Sequence, residues 1–253
     1  MSVIQDIMVT NKAVIKKSTR AIQNNTGLLI VGAVYMIALL IVAQLAAGVG
    51  IFGGLVMTLF QSAVFSNYLF LMNRIIRVGK FTQDDFRLGF KVYFRKIWIV
   101  LLIFMVAEFA LVTIAQPFGM FIPAFGLIIL IAKVIAFVVL NPLPETLYQK
   151  HLAEVESFSY AFSFIRENWI DWFIPNVILG GACYGLYLGI NLVFATALRG
   201  LPFAVQTSLS IVVISILVQA ILGYMMVYRG FLFEMLSTTT RRKRLFMRHI
   251  NKD

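Results

Sequence analysis

The sequence predicts an all-α membrane protein, a polytopic bundle of six transmembrane helices with amphipathic helices on its cytoplasmic side. Apolar residues make up 60% of the 253-residue chain and charged residues only 13%, with a mean hydropathy of +0.90. A water-soluble domain of this size does not carry so little charge. Six apolar runs are long enough to cross the ~30 Å hydrocarbon core of a bilayer. These runs cover residues 27–47, 51–73, 97–116, 121–143, 170–198 and 203–228.

The distribution of basic residues predicts the orientation of these spans. If both termini are cytoplasmic, all but two of the 22 Lys and Arg residues fall on the cytoplasmic side. The exceptions are Lys133, within a span, and Arg199, in an external turn. This is the positive-inside pattern. The net charge of +11 therefore does not indicate nucleic acid binding, and the basic tail also lacks interleaved aromatic residues except Phe246.

Three regions follow along the chain. Residues 1–26 are predicted to form an amphipathic interfacial helix, residues 27–235 the transmembrane domain, and residues 236–253 a basic cytoplasmic tail. The first helix groups its apolar residues on one stripe, which we expect to lie on the inner leaflet; a solvated helix without membrane contact is the alternative. The stripe consists of Val3, Ile4, Ile7, Met8, Val14, Ile15, Ala21 and Ile22.

The tail carries four consecutive basic residues, Arg241, Arg242, Lys243 and Arg244. A cluster of this kind next to a span attracts anionic inner-leaflet lipids. The alternative is that it only anchors the topology. In either case the expected contact of the tail is the lipid surface.

Two cytoplasmic segments share one pattern. Thr82 is predicted to cap a helix, with Asp85 in its first turn, and this helix shows aromatic residues on one face. The same pattern returns 72 residues later, which predicts a parallel repeat of a span, an amphipathic helix and a further span; chance similarity is the alternative. The paired faces are Phe86, Phe90, Phe94 and Ile97, and Phe158, Phe162, Ile165 and Trp169, with Asp84 matching Glu156.

The fourth span is predicted to break at Pro142 and Pro144, because two prolines remove two backbone donors and disfavour helix at the preceding residues. A polar cluster follows, and we expect it to be solvated at the cytoplasmic boundary. One His and one Glu three residues apart within it are too few to predict a metal site. The cluster consists of Glu145, Tyr148, Lys150, His151 and Glu154.

The fifth span contains Gly181, Gly185 and Gly189 at four-residue intervals. Small residues with this spacing let a neighbouring helix approach closely. The sequence therefore predicts a tightly packed helix interface on this ridge.

Glu108 and Lys133 are charged residues near the middle of the third and fourth spans. Glu108 lies twelve residues beyond Lys96, which is roughly 18 Å along a helix. An up-and-down hairpin would place Lys133 at a similar depth. We expect the two residues to form an intramembrane ion pair, either to neutralise each other or as part of a transport pathway.

Two classes of function remain open. We find no nucleophile elbow, zinc-protease or phosphate-binding motif, so we predict no enzyme and no cofactor. We favour a non-catalytic accessory or scaffold component that binds a membrane protein or a second copy of itself. The alternative is a transporter or channel subunit, which rests on the charged pair, the repeat and the polar residues in spans. These polar residues are Gln61, Asn67, Asn176, Asn191 and Gln219.

The stretch Asn141-Pro-Leu-Pro-Glu-Thr-Leu-Tyr-Gln-Lys150, followed by Ser157-Phe-Ser-Tyr-Ala-Phe-Ser-Phe-Ile-Arg-Glu-Asn-Trp169, carries a family resemblance. It resembles a loose superfamily of uncharacterised bacterial six-span inner-membrane proteins, related to the membrane domain of some glycerophosphodiester phosphodiesterases. The shared feature is a span that ends in proline, a short polar turn and an amphipathic helix. The resemblance implies a bacterial cytoplasmic membrane protein that acts beside other components. It transfers no functional residue.

Overall fold

The computed structural model describes residues 3–121, 125–197, 200 and 203–239. Over these residues the chain forms α-helices and no β-strand. The helices are α1 (Val3–Gln23), α2 (Gly27–Ala47), α3 (Ile51–Val78), α4 (Gln83–Val92), α5 (Phe94–Phe121), α6 (Phe125–Val139), α7 (Leu143–Gln149), α8 (Glu154–Ala197) and α9 (Phe203–Thr238).

Six of the described helical segments are long and apolar enough to span a membrane, as the hydropathy of the sequence predicts. The bounds of the first four lie within about two turns of the predicted ones. The fifth begins 16 residues before the predicted start, at Glu154, because the amphipathic segment before the span belongs to the same helix, which is interrupted at Asn168. Helix α9 begins at Phe203, as predicted, and continues ten residues beyond the predicted end, to Thr238. The segments are Gly27–Ala47, Phe52–Val78, Phe94–Thr113, Phe125–Gln149, Glu154–Phe194 and Ile216–Thr238.

The chain divides into two compact units. The first contains Met1–Ala38, Arg74–Phe81 and Asn168–Asp253, and the second contains Leu39–Asn73 and Thr82–Glu167. Helices α2, α3 and α8 each contribute to both units. Each unit therefore has its own packing.

In the first unit α1 packs against α9. The face of α1 that is buried carries Asp6, Thr10, Val14 and Ser18, which recur every four residues and so lie on one side of a helix. Most of these side chains are polar, whereas Met8 of the predicted apolar stripe is 65% exposed. The helix itself forms as predicted, and its buried face shares Val14 and Ala21 with the apolar stripe, whereas Ile15 of the stripe is exposed as well. Ser18 on the buried face donates to the Val14 carbonyl oxygen within α1. Contact of the exposed part of the stripe with the inner leaflet stays a prediction.

Asn25 fastens the turn between α1 and α2 to the loop that follows α3. Its side-chain amide donates to the carbonyl oxygens of Ala21 and Gly79, each at 2.8 Å, and its Oδ1 accepts from the Phe81 N–H at 3.3 Å. Gly79 ends α3 with a φ of 87°, a left-handed conformation that favours glycine. Asn25 is buried, so these bonds replace its contacts with water.

In the second unit Thr82 caps α4, as the sequence predicts. Its Oγ1 accepts from the Asp85 N–H at 3.2 Å, and the Asp85 carboxylate accepts from the Thr82 N–H at 2.9 Å. The predicted continuous helix from Thr82 through Ile97 is wrong, however. Helix α4 ends at Val92 and α5 begins at Phe94, with a break at Tyr93 (φ −110°, ψ 4°).

The predicted proline break is confirmed. Helix α6 ends at Val139, and α7 begins after Pro142, with Pro144 in its first turn. The expectation that the following polar cluster is solvated is wrong for Glu145 and Tyr148, which are 0% and 1% exposed. The reason is that α7 packs into an apolar cluster of the second unit, formed by Val100, Leu143, Leu147 and Ala161.

Helices α4 and α8 begin in the same way. Their first residues are 71 positions apart, one fewer than the 72 of the aromatic pattern. At each start a carboxylate accepts the N–H of the residue three positions earlier: Asp85 from Thr82 at 2.9 Å, and Glu156 from Ala153 at 3.1 Å. Each helix is then interrupted, at Tyr93 and at Asn168 (φ −125°, ψ 16°). The capping carboxylate that corresponds to Glu156 is thus that of Asp85 and not that of Asp84.

Candidate functional site

The break between α4 and α5 is caused by the hydroxyl group of Ser66 on α3. In a continuous helix the Tyr93 N–H would bond to the Gly89 carbonyl oxygen four residues earlier. Instead the Tyr93 N–H donates to Ser66 Oγ at 2.9 Å, and Ser66 Oγ donates to the Gly89 carbonyl at 2.6 Å. A side chain inserted into the backbone ladder in this way kinks a helix. We call this arrangement the Ser66 joint.

Tyr93 extends the joint to α7. Its hydroxyl group accepts from Asn73 Nδ2 at 2.7 Å and donates to the Tyr148 carbonyl oxygen at 3.1 Å. Lys96, one turn further on, donates to the carbonyl oxygens of Leu147 at 3.2 Å and Lys150 at 3.5 Å. A cation at the C-terminal end of a helix is favourable, because the unpaired carbonyls there carry partial negative charge.

Asn67 holds α4 against α3 directly. Its amide donates to the Phe86 carbonyl oxygen. Gly89 permits this approach, because a Cβ atom there would lie 3.0 Å from Asn67 Nδ2 and 3.1 Å from its Cα. The sequence offered Asn67 as a polar residue of a transport pathway, but its amide group links two helices.

Most hydrogen bonds of this polar region join neutral hydroxyl, amide and backbone groups. Lys96 adds a charged donor. Within the ranges that the structure describes, no group of three His, Cys, Asp or Glu residues could hold a metal ion. The arrangement fixes α3, α4, α5 and α7 relative to one another inside one unit.

Glu108 and Lys133 are brought together by the hairpin of α5 and α6. Lys133 Nζ donates to Glu108 Oε1 at 2.7 Å. The Lys133 side chain is 45% exposed and that of Glu108 is 55% exposed. The two residues therefore meet as the sequence suggests, but their side chains face out of the unit and not into its interior.

The surface around the pair is apolar. Helix α6 has no buried residue, and the middle of α5 is exposed as well. Phe109 and Phe137 are 72% and 71% exposed. The exposed apolar residues of the two helices are Met105, Val106, Phe109, Val112, Leu127, Ile128, Leu130, Ile131, Val134, Ile135, Phe137 and Val138. We call the side of the hairpin that carries Glu108 and Lys133 the hairpin surface; Val106 lies on the opposite side of α5.

The glycine ridge of α8 has no neighbour in the described part of the chain. A Cβ atom at Gly181, Gly185 or Gly189 would find no described atom within 4 Å. A tight helix interface on this ridge, as the sequence predicts, is therefore not formed by the described residues. The basic tail residues Arg241, Arg242, Lys243 and Arg244 lie outside the described ranges.

Two other polar residues of the spans are used within their own helix. Asn176 donates to the Trp172 carbonyl oxygen at 2.7 Å, and Asn191 to that of Tyr187 at 2.8 Å. Such bonds to the residue four positions earlier satisfy the N–H donors of an amide locally. The Oδ1 atom of Asn176 is buried and has no hydrogen-bond partner among the described residues.

A second charged contact, which the sequence did not indicate, joins α1 to α9. Lys17 Nζ lies 3.2 Å from Glu234 Oε2 and 4.3 Å above the ring of Phe231. On the same helix Arg229 lies 5.2 Å from the Trp172 ring, which meets Phe233 edge-on at 6.2 Å. The spacing of Phe231 and Glu234, three residues apart on one helix face, is the only sequence signal for the first contact.

No protein-family model, curated protein or solved structure matches this chain. The superfamily resemblance thus stays an expectation, and function is argued from the residues alone.

Proposed function

We propose that this chain is a multi-pass protein of the bacterial cytoplasmic membrane that serves as a non-catalytic accessory or scaffold component of a membrane assembly. Six apolar helices of spanning length support membrane insertion. The concentration of Lys and Arg in alternate loops supports cytoplasmic termini. The resemblance to six-span inner-membrane proteins supports the bacterial assignment.

The observation that carries the proposal is the outward-facing ion pair on the hairpin surface. A charge near the bilayer centre costs ~2.5 to 3.5 kcal/mol on insertion scales. Pairing lowers this cost, yet about half of each side chain stays exposed. Hydrocarbon cannot form hydrogen bonds with the exposed portions, whereas polar groups of a protein partner can. A partner that covers the pair therefore stabilises both members.

The use of the other polar residues weighs against transport. Side chains that line a pathway keep their polar groups available to the substrate. The N–H donors of Asn67, Asn176 and Asn191 instead bond to backbone carbonyls of the protein. The Oδ1 atoms of Asn67 and Asn176 are buried and have no hydrogen-bond partner among the described residues. The Glu108 and Lys133 pair, on which the transport hypothesis also rests, faces outward from its unit.

The test is purification of the full chain in mild detergent, followed by mass spectrometry of everything that co-purifies. We expect a protein present in stoichiometric amount, its own copy included, and we expect Glu108→Lys to release it. Val106→Leu is the matched control, because Val106 is exposed on the same helix at about 160° from Glu108. A single chain with a bound small solute would contradict the proposal and support transport.

Topology is tested separately by cysteine labelling in sealed vesicles. A cysteine at Gly48 should react with an impermeant reagent from outside, and one at Lys80 only after the membrane is opened. The reverse pattern would invert the proposed orientation.

A further inference from the structure

We infer that the partner at the hairpin surface is a second copy of this chain, bound so that Glu108 of each copy meets Lys133 of the other. This inference rests on the proposed function, because it names the occupant of the same surface. Its experiment is therefore arranged so that the two ideas fail in different ways.

The pair has hydrogen-bonding capacity that the described residues do not use. Lys133 has three N–H donors, and a carboxylate has two oxygen acceptors. Among the described residues, the single bond from Lys133 Nζ to Glu108 Oε1 at 2.7 Å is the only hydrogen bond of either group. Two donors and the second carboxylate oxygen thus remain for a partner, on side chains that are about half exposed.

The pair is complementary to itself. A two-fold axis that lies in front of the pair, on its exposed side, places each glutamate opposite the lysine of the other copy. Four charges of alternating sign then form a closed ring, in which each cation contacts two anions. A different protein would need its own pair of opposite charges at the same depth and spacing. A second copy of this chain has such a pair, because its Glu108 and Lys133 are the same residues.

A glycine on α6 allows a close approach of the two hairpins. Gly126 precedes Lys133 by seven residues and so lies on the same face of α6. A Cβ atom at Gly126 would find no described atom within 4 Å. A small residue on this face, two turns from Lys133, lets a neighbouring helix approach closely there.

Apolar contact alone does not determine which partner binds the hairpin surface. Lipid tails are as apolar as the exposed side chains of Leu130 or Phe137, so burial of these groups against protein gains little over lipid. Polar bonds between helices are what favours association in a bilayer. Glu108 and Lys133 are the only charged pair among the exposed residues of the hairpin surface. We therefore expect this pair to determine which partner binds.

The experiment mixes two variants of opposite charge, Glu108→Lys and Lys133→Glu, carried by differently tagged full-length chains in lipid nanodiscs. The first variant presents two cations and the second two anions. We expect each alone to dimerise at least tenfold more weakly than the native chain, because like charges oppose each other and the bonds are lost. Co-expressed, the two variants should form a mixed dimer at close to the native level.

Two controls separate association from folding. The double variant Glu108→Lys with Lys133→Glu keeps one charge of each sign, so it should dimerise within about threefold of the native chain. In a Cys183→Ser background, Met105→Cys, about 60° from Glu108 on α5, should cross-link to its own copy. Val106→Cys, on the opposite side of α5, should not.

The results that would overturn the inference are distinct. A native chain that is monomeric but holds another protein at this surface retains the proposed function and removes the self-association. A native chain that is monomeric and binds no protein removes both. Equal cross-linking at Met105→Cys and Val106→Cys, or no mixed dimer although both variants are folded, shows that the pair does not face its counterpart.

Discussion

Replacing Tyr93 with Phe tests the polar region around the Ser66 joint, because it removes one hydroxyl group and keeps the ring. That hydroxyl accepts from Asn73 Nδ2 at 2.7 Å and donates to the Tyr148 carbonyl at 3.1 Å. Asn73 is 8% exposed, so its amide loses a partner where water does not replace it. A buried unsatisfied donor costs about 1 to 3 kcal/mol, and the second bond contributes about 1 kcal/mol. We expect a total loss of about 2 to 4 kcal/mol.

Thermal unfolding of the detergent-solubilised chain measures this loss. For a domain of this size about 1 kcal/mol corresponds to ~2 to 4 °C in Tm, so Tyr93→Phe should lower Tm by about 4 to 16 °C. The matched control is Tyr184→Phe, which removes the same group from a side chain that is 62% exposed. We expect the control to stay within about 0.5 kcal/mol of the native chain.

The double variant Tyr93→Phe with Asn73→Leu distinguishes a shared bond from two separate effects. If the bond exists, the Asn73→Leu substitution removes the stranded amide, and the double variant is more stable than the sum of the single changes predicts. Strict additivity, or a Tyr93→Phe loss no larger than that of Tyr184→Phe, would refute the reasoning. The hydroxyl would then not hold α3 to α7.

Three further predictions follow from contacts elsewhere in the chain. Gly89→Leu should lower the folded yield severely, because its Cβ would lie 3.0 Å from a buried amide, whereas Gly185→Leu should leave the folded monomer unchanged. Lys17→Met should cost less than about 1 kcal/mol of unfolding free energy, since its ion pair with Glu234 is well exposed. Asn25→Ala should cost about 1 to 3 kcal/mol and expose the loop after α3 to proteolysis, because it removes buried bonds to that loop.

Similar yields for both glycine variants would show that the close approach of α3 and α4 is not required. A loss above ~2 kcal/mol in Lys17→Met would mean that the pair is shielded from solvent. For Asn25→Ala, an unchanged rate of proteolytic cleavage in the loop after α3 would show that Asn25 does not hold this loop against the turn between α1 and α2.

Local sequence signals predicted much of the secondary structure. Apolar length alone identifies the six spans, and the pattern Thr82-x-x-Asp85 identifies the start of α4. The prolines at 142 and 144 identify the break after α6, because proline removes the donor that a helix needs. Each of these features depends on residues close together in the chain.

Features set by distant residues were not predictable. No proline stands near Tyr93 to end the helix; the Tyr93 N–H bonds instead to a serine 27 positions earlier. The burial of Asp6, Thr10 and Ser18 on α1 depends on packing against α9, which lies about 200 residues away, so the apolar stripe alone could not indicate it. Glu145 and Tyr148 look solvated by composition, yet packing of α7 buries both.

The sequence predicted which two residues form the ion pair, but not that their side chains face out of the unit. The depth of Glu108 and Lys133 in adjacent spans predicts their contact, because an up-and-down hairpin has limited freedom. Which side of the hairpin the pair faces depends on how α5 and α6 pack against the rest of their unit. Periodicity could not reveal this, because α6 is apolar on all sides except at Lys133.

The Ser66 joint bonds α3 to the break between α4 and α5, so the position of α3 sets the direction of α5. Helix α5 has 28 residues and is thus about 42 Å long, so a turn of 10° at the joint displaces its far end by about 7 Å. The angle is set by a hydroxyl group on another helix and not by the residues at the bend. A small rotation of α3 about its own axis would therefore move the distant end of the hairpin by more than the width of a side chain. Helices α4 and α5 would keep their own helical structure during this movement.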